Sequence, residues 1–189
     1  MVYTVLSTIQ KKLDEFIRNK FSLNEQLVQL SNLANGDSLQ ENISNNKLLV
    51  TLVNIEREYS MGIQFRTNTL NNGTSSLGRP PVHLNFFVMF SANFAEKNYD
   101  ESLKYISATL EFVQRNDLIN QYNTPELDKS IAKLQIELVN LSFHELSNLW
   151  SILGSKYLPS FLCKIRMIAI DSDEIDRIQI ASETVSLNE

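Results

Sequence analysis

The sequence predicts an α+β domain, a mixed and largely antiparallel sheet flanked by helices. Three observations carry that expectation. Residues 47–56 and 81–94 are apolar on both alternating sets, as strands covered on two faces must be. Stretches opening at residues 2, 99 and 142 instead repeat their apolar residues at helical spacing. Residues 131–139 alternate apolar with polar, the pattern of a strand with one wet face.

The elements follow in order. Residues 2–20 read as an amphipathic helix, with Val2, Val5, Leu6, Ile9, Leu13, Phe16 and Ile17 on one face and Lys11, Lys12, Glu15 and Arg18 off it. A short strand is expected near Gln26–Asn32. Residues 34–46 are rich in Asn, Ser, Asp and Gly, which favour turns. The strand at 47–56, KLLVTLVNIE, belongs inside a sheet. Residues 60–79, with Asn71-Asn72-Gly73 and Ser75 to Gly78, read as a long loop or a hairpin with a poorly ordered tip.

Pro80 and Pro81 open the second two-sided strand, because proline donates no ladder hydrogen bond. A second helix is expected over 99–114, capped by Asn98 or Asp100, with Leu103, Ile106, Leu110 and Val113 forming one stripe. Thr124-Pro125-Glu126 resembles a helix start of one short turn. In the strand at 131–139, Ala132, Leu134, Ile136 and Leu138 should face inward. Ser142 and Glu145 form a capping box for a third helix through Leu146, Leu149, Trp150 and Leu153, ended by Gly154. FLCKIRMIAI at 161–170 is the last firm strand, followed by an acidic tail with a short alternating piece at Ile175–Ile180. No internal repeat or interdomain linker is visible.

Composition narrows the function classes. The net charge of −5 over 189 residues, with no basic run longer than Lys11-Lys12, is a poor match for a nucleic-acid face. The lone Cys163 excludes an intrachain disulfide and, inside an apolar strand, reads as a small hydrophobe. No apolar run approaches the roughly 20 residues needed to span a bilayer. The first residues lack a signal-peptide pattern, so assembly in the cytoplasm is expected.

Catalytic and metal signatures are equally sparse. His83 and His144 form no H-E-x-x-H or H-x-H arrangement, and the five glycines make no phosphate loop. Asp171, Asp173, Glu174 and Asp176 cluster without the ligand order of a calcium loop, which reads as a solvated turn. Phe86, Phe87, Phe90 and Phe94 lack interleaved basic residues, so they read as core rather than a base-stacking platform. Trp150 reads as core or as an interface anchor. A non-enzymatic protein without metal or cofactor is expected.

Two long segments also carry a resemblance. PPVHLNFFVMFSANFAEKNYDESLKYISATLEFVQ at 80–114 and LSFHELSNLWSILGSKYLPSFLCKIRMIAID at 141–171 resemble signatures of the cap, or tail-terminator, family of extracellular contractile injection systems, of the antifeeding prophage and Photorhabdus virulence cassette type. NKLLVTLVNIERE at 46–58 and the N-terminal helix fit in position and type. The resemblance runs to about residue 172, so 1–172 is expected to be a tail-terminator-like domain and 173–189 an acidic tail or interaction arm.

The resemblance implies a fold similar to phage tail-terminator domains and a structural role. Such caps form a homo-hexameric ring on the distal end of the tail, contact sheath and inner-tube proteins, and end their polymerisation. They are components of a particle that is released or tethered; from its composition, this chain is expected to bind no nucleic acid and to insert in no membrane. An assembly chaperone or adaptor for sheath or tube subunits is the competing expectation. Candidate interface residues are Arg66 and Asn72 in the 60–79 loop, Trp150, Lys156 and Tyr157, and Ile175, Ile178 and Ile180. The last three could add a strand to a neighbour's sheet edge or fray as a terminus.

Overall fold

In the computed structural model, residues 1–33, 46–58, 67–69, 75–78, 83–169 and 175–179 are described, with backbone alone for 67–69, 75–78, 169 and 175–179. Helix α1 spans Val2–Phe21 and buries Val5, Leu6, Ile9, Leu13 and Ile17, the face expected from its periodicity. Ser22 stops it in the left-handed conformation at φ 54°, its N–H returning to Arg18 O. Strand β1, Val28–Leu30, runs parallel to β2, Lys47–Arg57. The turn-rich stretch expected at 34–46 lies outside the described residues up to Asn46.

Strands β3, Thr67–Thr69, and β4, Ser75–Gly78, pair antiparallel as the arms of a hairpin. This is the hairpin alternative for 60–79, and its tip lies outside the described residues. Strand β5, Leu84–Asn93, leads through a 3-10 turn at Glu96–Asn98 into helix α2, Tyr99–Arg115. Strands β6, Leu118–Asn120, and β7, Ile131–Val139, precede helix α3, Phe143–Leu153. Strands β8, Ser160–Ala169, and β9, Ile175–Gln179, follow.

The main sheet has the order β1-β2-β5-β8-β7-β6, antiparallel except for β1 with β2. A second, three-stranded sheet has the order β3-β4-β9. Alternation sorts the main sheet's side chains onto two faces. Leu48, Val50, Phe86, Val88, Phe90, Leu134, Ile136, Cys163 and Ile165 pack with α1 and α2 in the larger core. Leu49, Met89 and Leu162 point the other way, to Trp150 of α3. The α+β class is therefore a sheet with two helices on one face and one on the other.

The main sheet curls around α1. Gln10 Nε2 donates to Val28 O at 2.9 Å, on the β1 edge. Lys12 Nζ donates to Thr124 Oγ1 at 2.7 Å and Asn123 O at 3.1 Å, in the turn joining β6 to β7. Six flat strands would span about 24 Å and a helix is only about 10–12 Å across, so one helix reaches both edges only if the sheet bends. Asp14 locks the β1 side. Its Oδ1 accepts the N–H groups of Leu27 at 2.8 Å and Val28 at 2.9 Å while the residue is buried.

One expectation is borne out in part and two need correction. The α2 stripe of Leu103, Ile106, Leu110 and Val113 is divided, with Val113 buried and Ile106 packed against the larger core. Leu103 and Leu110 are 42% and 39% exposed, and the buried residues are Ser102, Ala108, Thr109, Phe112 and Val113. Small side chains let the helix approach the sheet, and Ser102 and Thr109 satisfy their hydroxyls on Tyr99 O and Tyr105 O. In β7, Ala132 and Leu138 are exposed. A bulge between Ile131 and Lys133 adds one residue, so Ile131 takes the inward place before Leu134. Thr124 opens a turn closed by Leu127 N–H to Thr124 O at 3.0 Å, not a helix. Asp128 Oδ1 then accepts Ser130 N–H at 2.9 Å and turns the chain into β7.

Two stability results follow. Asp14→Ala leaves two buried N–H donors without their acceptor and should lower the unfolding free energy in urea by about 2–4 kcal/mol. Asp14→Asn keeps an acceptor and should cost less; equal midpoints for both variants and wild type would remove the clamp from the account. Burial in the apolar core pushes the Cys163 thiol up to about 12. A disulfide reagent at neutral pH should leave it unmodified in the folded chain and titrate it on unfolding.

Candidate assembly interface

Helix α3 begins where the sequence requires. Ser142 Oγ accepts Glu145 N–H at 3.3 Å, and Glu145 Oε2 accepts Ser142 N–H at 2.8 Å, completing the capping box. The hydrogen bond from the Ser142 backbone, then that from its hydroxyl, holds the Glu145 carboxyl below its ordinary value. Gly154 ends the helix at φ 64° with open space where a Cβ would lie, so backbone conformation rather than crowding selects glycine.

Trp150 projects from this helix onto Leu49, Met89 and Leu162 and is 5% exposed. Tyr157 meets its ring edge-on at 5.7 Å between centroids, yet remains 62% exposed. Lys156 beside it is exposed. Of the expected interface residues, these three are brought together. Arg66, Asn72 and Ile180 lie outside the described residues. Ile175 and Ile178 lie in β9, whose backbone pairs antiparallel with β4 of the same chain, Ile178 opposite Ser76 and Ile175 opposite Gly78. One edge of that strand is thus used within the chain.

Other surface residues were not singled out from the sequence as contacts. Phe143 and Ile152, on the flanks of α3, are 93% and 81% exposed. Glu145 is the helix's one formally charged residue, and it is engaged by the cap. That shortage of charge was visible in FHELSNLWSIL, and the exposed side between Phe143 and Ile152 carries the polar residues His144, Ser147, Asn148 and Ser151. The exposed side of α2 carries Tyr99, Leu103 and Leu110.

The second face of the sheet is divided. Its apolar half lies under α3, and its other half is charged. Arg166 Nε sits 3.0 Å from Glu58 Oε2, with Lys164 Nζ at 3.9 Å from the same oxygen and Arg166 Nη2 at 3.9 Å from Glu137. Among the described residues, no group of three or more His, Cys, Asp or Glu is placed to hold a metal ion, and no helix is long and apolar enough to cross a membrane.

A family model described as the Pvc16 N-terminal domain matches residues 4–182. Among solved structures, the chain is similar to the PVC sheath/tube terminator of an extracellular contractile injection system in its extended state. The TM-score is 0.58 at 17% identity, covering 97% of this chain and 64% of that one. It is also similar to the anti-feeding prophage cap, a tube-terminating cap, with a TM-score of 0.55 at 12% identity over 96% of this chain and 60% of that one. The chain thus spans less than two thirds of either relative, and at these identities the likeness is one of fold. No curated protein sequence matches it.

Ser142→Ala removes the hydroxyl that accepts Glu145 N–H and donates to the Glu145 carboxylate, while the backbone N–H to that carboxylate remains, and should lower stability by about 1 kcal/mol at neutral pH. Because Glu145 has a depressed folded pKa, its contribution is present above the unfolded carboxyl value and lost as pH falls through the lowered one. The gap between wild type and Ser142→Ala should therefore narrow in acid. A gap that is constant from neutral to strongly acidic pH would rule out the carboxylate's part in it.

Proposed function

Because the chain belongs to the Pvc16 N-terminal domain family, we propose that it is the terminator, or cap, of a contractile injection system, closing the distal end of sheath and inner tube. The observation that carries this reading is one fold shared over 97% of the chain with a sheath/tube terminator. The role is structural: rigid cores on both faces of one sheet, with association surfaces outside them, are what a ring subunit needs. The finer reading is a homo-hexameric ring that contacts sheath and tube proteins and ends their polymerisation. In it the chain assembles in the cytoplasm and leaves as part of the particle.

Lys156 and Tyr157, over Trp150, are proposed as contact residues on the α3 side. Residues 1–172 are read as the cap domain and 173–189 as an arm. With β9 laid against β4, that arm would be tethered to its own hairpin before it meets a neighbour.

Deleting the gene should give particles whose sheaths and tubes vary in length, measured by electron microscopy, and complementation should restore one length. Unchanged lengths with normal contraction contradict termination. Mass spectrometry of washed, full-length particles should find the chain. Its absence there, with assembly still dependent on it, would instead identify an assembly chaperone.

A further inference from the structure

The smaller core, between α3 and the second face of the main sheet, is not wholly apolar. Ser91 of β5 lies opposite Leu49 of β2 on one side and opposite Ser160 of β8 on the other, so Leu49, Ser91 and Ser160 form one row across three strands. The next row on the same face is Thr51, Met89 and Leu162. Trp150 packs in one cluster with Leu49, Met89 and Leu162. Ser91 stands beside the first, two residues from the second and diagonal to the third. The indole therefore lies over the two serines' row.

The strand pairing brings those serines close. Ala92 N–H donates to Pro159 O at 3.0 Å, which makes Ser91 and Ser160 an intervening pair that exchanges no ladder hydrogen bonds. In such a pair the side chains stand nearer each other than elsewhere along the ladder. Even so, neither hydroxyl bonds the other. Ser91 Oγ and Ser160 Oγ are both sealed from solvent and lack a hydrogen-bond partner among the described residues, and so does Trp150 Nε1. Ser91 and Trp150 are 0% and 5% exposed. Buried polar groups in folded proteins are nearly always satisfied, so three in one small core call for a shared partner.

The chemistry of the three atoms says what that partner is. An indole N–H only donates, whereas a hydroxyl both donates and accepts. The shared group must accept from the indole and bond both hydroxyls. Leu33, Leu49, Met89 and Leu162 around it are apolar, so a charged group would be buried without a counter-charge. Serine fills less of a packed layer than leucine or methionine, so only a small group fits between two serines and the ring. A water molecule meets every condition, and three hydrogen bonds is the usual number for a buried one.

We propose that Ser91 Oγ, Ser160 Oγ and Trp150 Nε1 hold one buried water molecule between α3 and the sheet. Bonded at its N–H, the indole is fixed in its plane as well as in its place. Tyr157 meets that ring edge-on at 5.7 Å, so the water also helps to set where Tyr157 lies. The site goes beyond the cap reading and does not depend on it.

Trp150 is the chain's only tryptophan, so its indole N–H gives a single nuclear magnetic resonance signal in the full chain. Ser91→Ala and Ser160→Ala each remove one partner of the water. Each should move the indole proton upfield, and the two together furthest, with circular dichroism checking every fold. A shift in one of the single variants alone identifies a direct serine–indole bond and overturns the proposal. So does an indole signal that none of the variants moves. A high-resolution crystal structure of the wild-type chain needs no substitution and should show an ordered water within hydrogen-bond reach of all three atoms. Serine hydroxyls bonded to each other or to main-chain carbonyls, with the indole N–H against apolar side chains, would contradict it.

Discussion

Gln10, Lys12 and Asp14 sit within little more than one turn of α1, and through them one helix holds both edges of the main sheet. The rest of the fold depends on that grip. A sheet edge normally presents unpaired N–H and C=O groups to solvent. Here the β1 edge is three residues long and its approach is held by a buried carboxylate, while the β6 edge leads into a turn held by a lysine. Once both edges are fixed to α1, the curl of the sheet is set. The curl decides where α2 can lie, packed between α1 and β5, and which of its stripes is buried.

Much of this was legible in the sequence, and the failures have physical causes. Helix α1, its buried face, the α3 capping box and the Gly154 stop follow from local rules, because their determinants lie within a few residues of each other. The interior strands β2, β5 and β8 were readable because both faces are apolar. The face of α2 was legible only in part, because Leu103 and Leu110 of its apolar stripe are exposed while Ile106 and Val113 pack inward. Its buried face uses Ser102, Ala108 and Thr109, which hydropathy does not distinguish from surface residues. The β7 bulge depends on pairing with β8, and β6 is three residues whose identity as a strand comes from β7 alone. Neither leaves a local signature.

The candidate interaction surface was legible in one part only. Trp150, Lys156 and Tyr157 could be selected from the chain, and the structure brings them together at one end of α3. Leu103 and Leu110 were noticed as members of an apolar stripe, and the structure leaves both of them exposed. Phe143 and Ile152 had a weaker signal, the lack of Lys and Arg across α3.

The account therefore describes a sheet locked around one helix, with helices packed on both of its faces. Electron cryomicroscopy of intact particles carrying this chain tests it most directly. The result expected is a closed ring at the end opposite the baseplate, each subunit fitting this fold. Density for the chain repeated along the sheath, or an end closed by a different fold, would contradict it.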